Sequence, residues 1–269
     1  MGRYGGGGLE TSSGANAALD DRPAAGHLVS LADIRAAFER KPDPAGVLQG
    51  VRRLRQGVVH KRIVLMPSPK NCGFTIPCEG RLEALFAENL ELSGFVSAYR
   101  VQPVAFPGPY GGKVVPDFAV RFVDGTYQVV DVKPHGHLNR PDVSCRMNWV
   151  RKRLGEARIS HRVVTDLQLK AEPARTIRRQ LRRGIRTKVH SGITELARSI
   201  VQHGPLPVRE LRARLMAARH PALSVEKLIV MGVLGFDTSR PWNSFTLIGE
   251  LNGPQHGRAG WGSIHSVLV

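Results

Sequence analysis

The stretch from Lys113 to Lys133, KVVPDFAVRFVDGTYQVVDVK, constrains this chain more than any other. Two runs rich in Val, Phe and Tyr flank an Asp124-Gly125 pair, the pattern of a β-hairpin. Three ionisable side chains, Asp117, Asp131 and Lys133, interrupt the apolar runs. Burying such charges in a sheet is costly unless they are paired or hold a metal. Register decides whether they meet. A two-residue loop pairs Asp117 with Val132 and puts the aspartates on opposite faces. A three-residue loop, Val123-Asp124-Gly125 with Gly125 left-handed in a bulge, pairs Phe122 with Thr126. It sets Asp117 across from Asp131, with Cβ atoms roughly 4.5–5.5 Å apart. We expect the second register. Asp131 and Lys133, two residues apart, then share a face. Facing carboxylates repel each other, and a divalent cation between them removes that repulsion.

The charge balance says what kind of partner to look for. Lys and Arg outnumber Asp and Glu 39 to 22, a formal net charge of +17. Such an excess points to a polyanion, nucleic acid before an acidic protein or a membrane surface. No apolar run approaches the roughly 18–20 residues of a bilayer span, and no signal peptide is expected. Cys72, Cys78 and Cys145 form no CxxC and no even framework, so reduced thiols in a soluble intracellular protein are expected. A chain of 269 residues, 42% hydrophobic, suffices for one large or two modest domains.

Along the chain, residues 1–25 read as a disordered Gly/Ala/Ser-rich tail. A short helix is expected around Leu31, Ile34, Ala37 and Phe38, and another from Val47 to Gln56 carrying Arg52, Arg53 and Arg55. Lys61–Met66 reads as a strand. Pro77–Leu92 turns helical, with Leu82, Leu85, Phe86 and Leu90 on one face. Glu83 stands at the border of that stripe, about 100° from Leu82. Glu79, one turn earlier, is a rival ligand better read as a favourable charge in the helix's first turn. Phe95–Phe106 reads as a strand, and Pro134–Arg140, with His135 and His137, as a solvated loop. A helix from Asp142 and a strand over His161–Thr165 complete an α/β pattern.

Arg175, Arg178, Arg179, Arg182, Arg183 and Arg186 cluster on one side of the next helix, with Ile177, Leu181 and Ile185 on the other. About 18 Å of helix can follow several phosphates, so these six are the expected nucleic-acid contacts, an acidic protein surface being the alternative. From 193 to 248, three short helices and a hairpin-like pair resemble a winged helix at the level of pattern. Residues 250–269 read as a Gly-rich tail.

Glu83, Asp117 and Asp131 with Lys133 offer three carboxylates and an amine, a set suited to a hard cation such as Mg²⁺ and to phosphodiester hydrolysis. The Val132 carbonyl is a further candidate oxygen ligand. Lys133 is placed to position a water or neutralise the pentavalent intermediate. Pro116-Asp117 followed by Asp131-Val132-Lys133 resembles the PD-(D/E)xK nuclease motif. The fuller series is Arg81-Leu82-Glu83, Gln102-Pro103, Pro116-Asp117-Phe118, Asp124-Gly125 and Asp131-Val132-Lys133-Pro134. It is similar to the TnsA-type endonuclease of multi-protein cut-and-paste transposons. Residues Arg146–Asp166 continue the likeness, which covers about 60–168.

The resemblance implies a restriction-endonuclease-like α/β fold, a mixed sheet flanked by helices over 26–170. A smaller basic and winged-helix-like part would follow over 171–249. It implies Glu83, Asp117 and Asp131 as ligands of Mg²⁺, with Mn²⁺ as a substitute, and Lys133 as the catalytic lysine. The implied activity is cleavage at the 5′ ends of a transposable element. The implied partners are DNA, a DDE transposase (TnsB-like) and an AAA+ ATPase regulator (TnsC-like), in a prokaryotic, nucleoid-associated cytoplasmic protein without membrane contact. The alternatives are a restriction- or repair-like nuclease of the same fold, and a catalytically inactive DNA-binding regulator.

Overall fold

The structure, a computed structural model, describes residues 28–54, 57, 62–109 and 111–252, together with the backbone of 261–262. In chain order its elements begin with α1 (Leu31–Glu39), β1 (Ile63–Pro67), β2 (Thr75–Glu79), α2 (Arg81–Leu92), β3 (Val96–Val101), β4 (Phe106–Pro107) and β5 (Lys113–Val114). The hairpin strands β6 (Phe118–Phe122) and β7 (Tyr127–Lys133) follow, then α3 (Pro141–Glu156), β8 (Ser160–Thr165), α4 (Asp166–Lys170) and α5 (Ala174–Gly184). The remainder comprises α6 (Ile193–Val201), β9 (Leu206–Pro207), α7 (Val208–Ala217), α8 (Ser224–Val230), β10 (Leu234–Asp237), β11 (Leu247–Glu250) and β12 (Trp261–Gly262).

The molecule is mixed α/β. Its central sheet runs β3-β6-β7-β8, antiparallel except for the parallel β7–β8 pair, which α3 joins as a crossover. Alternation along the strands divides the core into two layers. Phe118, Val120, Val130 and Val132 pack with Phe86 and Leu90 of α2 on one face. Ala119 and Val129 pack on the other with Val143, Met147, Val150 and Leu154 of α3 and Ile34 and Phe38 of α1. Helix α1 starts where Ser30 and Asp33 form a capping box.

The hairpin takes the three-residue loop. Phe118 pairs with Val130 and Arg121 with Tyr127, the Phe122 N–H donates to the Thr126 carbonyl, and Gly125 sits at φ 84°. Only a residue without Cβ takes that angle at no steric cost. Continued by one pair, this register places Asp117 opposite Asp131.

Several expected boundaries move. Thr75–Glu79 is a strand and the helix starts only at Arg81, so Glu79 ends β2 and is not in a helix's first turn. Gly80, at φ 100°, makes the bend between them. No helix forms over the described part of 47–56; Val47 bridges to Thr75, while Arg55 and Gln56 fall outside the described residues. The strand expected over 95–106 stops at Val101, where Gln102 turns left-handed (φ 44°). Lys113-Val114 leaves the hairpin to pair with Phe106-Pro107. The expected tail 1–25 lies outside the described residues, and within 250–269 Trp261-Gly262 pairs with β10.

A second core joins α5 to α8 with β10 and β11, and includes Leu92 at the end of α2. Here β9, β10, β11 and β12 form a sheet in the order β12-β10-β11-β9. Gly94 and Gly232 approach so closely that a Cβ on Gly94 would stand 2.5 Å from the Gly232 Cα. No helix among the described residues is long and apolar enough to cross a membrane.

Candidate active site

Asp117 lies just before β6, 8% exposed, and Asp131 lies in β7, 2% exposed. By strand alternation Asp131 and Lys133 share the face of Val129, the face that α3 covers. The Lys133 ammonium bridges the two acids, 2.5 Å from Asp117 Oδ2 and 3.3 Å from Asp131 Oδ1. The Val132 N–H also donates to Asp117 Oδ2, at 2.8 Å. Asp131 Oδ2 lies 3.0 Å from Nε2 of His161 on the neighbouring strand β8. Lys133 therefore holds together a carboxylate pair that is otherwise self-repelling.

Glu83 arrives from the opposite layer, at the first turn of α2, and its Oε2 accepts the Glu79 N–H at 2.7 Å. It shares a cleft of about 720 Å³ with Asp117 and Lys133. Burial, then the charge of Asp117, raises the Glu83 carboxyl to about 8. Burial also raises Asp117, against the opposing pull of Lys133. Burial alone would lower Lys133, but Asp117 and Asp131 outweigh it and keep its ammonium above the ordinary lysine value. The cleft thus gathers more carboxyl groups than its one partly buried ammonium can pair with, and Glu83, raised to about 8, is mostly protonated at neutral pH.

Glu83, Asp117, Asp131 and Lys133 accordingly converge at one end of the sheet. Among the described residues no group of three or more Asp, Glu, His or Cys side chains is arranged so that it could hold a metal ion. Asp131 gives its second oxygen to His161, and Val132 is represented by its N–H. The cleft wall adds Lys113 and Arg146, which sequence reasoning left out of the site, together with Arg52, expected on a helix, and His137 from the loop read as solvated. Arg52 pairs with Glu79 at 3.4 Å, whereas the exposed Arg146 has no acidic partner among the described residues. Its one signal in the sequence is its place one residue before the buried Met147. His161 carried none, because its contact depends on the parallel β7–β8 register.

The arginine helix divides. Arg175, Arg179, Arg182, Arg183 and Arg186 are exposed. Arg178 is not: it is buried, donating to Asn89 Oδ1 at 3.2 Å and to the Leu169 carbonyl at 2.9 Å. It ties α5 to α2 and α4 and is no phosphate contact as placed. Little more than a quarter of a turn, about 100°, separates exposed Arg179 from buried Arg178, and the charge pattern alone does not reveal it.

The raised Glu83 has a measurable consequence. A carboxyl at about 8 when folded and near the ordinary 4.5 when unfolded holds more protons in the native state between those values. Stability from this group is then complete below about pH 4.5 and lost as pH rises through 8. In metal-free buffer the wild type should lose more thermal stability than Glu83→Gln between about pH 5 and 9. Parallel melting profiles for the two would remove the basis for this.

A comparison with protein-family models returns no match for this chain, and one with curated proteins returns none either.

Proposed function

We propose that this protein is a metal-dependent DNA endonuclease of the TnsA type, with a restriction-endonuclease-like catalytic part and a winged-helix-like C-terminal part. The observation that carries the reading is Lys133 bridging Asp117 and Asp131 in a cleft that also receives Glu83. The surplus of carboxyl groups over cations fits a hard divalent cation, whose binding would displace the Glu83 proton, and Glu83, Asp117, Asp131 and the Val132 carbonyl are the oxygens that would hold Mg²⁺, or Mn²⁺ in its place. When bound, such an ion supplies charge stabilisation to a phosphoryl group and acidifies a water.

The chain's own residues account for the remainder. Lys133, kept cationic by its two acids, orients the attacking water and offsets charge on the pentavalent phosphorane. Asp117, anchored by the Val132 N–H, fixes the lysine's position. His161 fixes the rotamer of Asp131. Arg146, exposed at the cleft wall with Lys113, binds the scissile phosphate; exposed Arg175 and Arg179 on α5 are further phosphate contacts in this reading. The partners of this reading are a DDE transposase and an AAA+ ATPase regulator.

The test is nicking of a duplex carrying element ends, with Mg²⁺ and with the transposase supplied. Asp117→Asn should lower the rate roughly a hundredfold or more while DNA binding persists. Arg146→Ala should instead act mainly on KM, removing a phosphate contact made by ground and transition state alike. Nicking unaffected by Asp117→Asn would refute the site.

A further inference from the structure

On the far side of α2 from the cleft lies a groove of about 930 Å³ that the nuclease chemistry does not use. At 100° per residue, Arg81, Ala84, Leu85 and Glu88 face the groove, and Glu83 points roughly 150° away from their centre. The floor is apolar: Val64 and Met66 from β1, Leu85 from α2, and Ile185 just past α5. The rim is cationic. Arg62, Arg81, Arg183 and Arg186 have no acidic partner among the described residues. The groove's own acids are already engaged, Glu88 with Arg182 at 3.2 Å and Glu91 with Ser68 and the Lys70 N–H.

One wall is a strand edge that is open among the described residues. Val64 to Pro67 all border the groove, which places it along the strand rather than over one face, since alternate side chains point oppositely. Among the described residues β1 pairs only with β2. Ser68 N–H donates to the Phe74 carbonyl, so the narrow hydrogen-bonded pairs continue at Met66 and Val64. Ile63 and Leu65 therefore turn their N–H and C=O groups away from β2. Leu65 is also 42% exposed, unusual for a leucine in a strand.

We infer that this groove binds an acidic, extended segment of a partner protein, added as a strand along the free edge of β1. Alternate side chains of such a segment serve both features: apolar ones cover Leu65, Met66 and Leu85, and carboxylates meet the arginine rim. Nucleic acid suits it poorly. Among the described residues the groove has no aromatic platform for bases, and the side chains of its apolar floor offer phosphates no donor. Arg183 and Arg186 thus serve a protein partner, while Arg175 and Arg179, outside the groove, remain for DNA.

The experiment is a selection from a displayed library of random linear peptides on the full-length chain. A synthetic copy of the best clone is then titrated against wild type, Leu65→Glu and Arg186→Glu. Both substitutions are at exposed positions, and melting curves verify that the variants fold. The selected sequences should alternate acidic and apolar residues, and each substitution should weaken binding roughly tenfold or more. Bound peptide should also slow hydrogen exchange at the Ile63 and Leu65 amides. Clones lacking carboxylates, clones indifferent to both substitutions, or unchanged exchange along β1 would each overturn the proposal. So would duplex DNA losing as much affinity as the peptide on Leu65→Glu, which would give the groove to nucleic acid.

Discussion

Replacing Lys133 with methionine is expected to destabilise the protein by about 3–5 kcal/mol in metal-free buffer, the cost of stranding buried charge without its partner. The side chains concerned are 15%, 10% and 3% exposed for Lys133, Asp117 and Asp131, so solvent screens the loss only weakly. Asp117 and Asp131 would be left facing each other across one ladder position with no cation between them. The deficit should shrink on acidification, because protonating either acid removes the repulsion. Mg²⁺ should restore much of the melting temperature by taking the ammonium's place between the carboxylates, without restoring nicking. Stability and activity would then separate in one variant. A Lys133→Met protein that melts like the wild type at neutral pH would mean the two acids are not ionised together, and the cation site would lose its support.

The second large effect concerns Arg178 and Arg179, neighbours with opposite fates. Arg178→Met removes the donor for Asn89 Oδ1 and the Leu169 carbonyl, both reached from a buried guanidinium, and should cost about 2–4 kcal/mol. Arg179→Gln, on the exposed side, should change stability by no more than about 0.5 kcal/mol. It should weaken duplex binding uniformly across sequences and reduce the salt slope by about one. Chemical denaturation and salt-dependent DNA titration of the two variants read both effects. Equal loss of DNA affinity with unchanged stability in Arg178→Met would mean that this arginine is free to leave its buried pocket.

How far the site could be foreseen depended on the range of each interaction. Asp117 opposite Asp131 was legible because a turn's chemistry acts over a few residues: a left-handed Gly125 sets the register, and register sets which side chains face. Lys133 followed from period two alone. The helix carrying Glu83 was legible as well, but its start was misread by four residues. Pro77 and Glu79 are compatible with a helix's first turn until β1 is there to pair with them. The described part of the 47–56 segment, 47–54, departed from the expected helix for the same reason, Leu48 and Val51 donating to the Thr75 and Gln102 carbonyls rather than to their own turn.

The sequence by itself determined the local periods: where the strands alternate, where the main helices run, and that two acids and a lysine interrupt an apolar hairpin. Tertiary structure alone decided which remote groups meet them. Glu83 reaches the acids from another layer, His161 reaches Asp131 through a parallel strand, and Arg146 borders the cleft from the crossover helix. It also decided that Arg178 is buried while Arg175 and Arg179 are exposed, and that, among the described residues, β1 keeps an open edge beside four arginines without an acidic partner. The physical reason is distance along the chain. Turn type and amphipathic period are properties of a few consecutive residues, whereas contacts across layers exist only once the sheet has brought distant segments together.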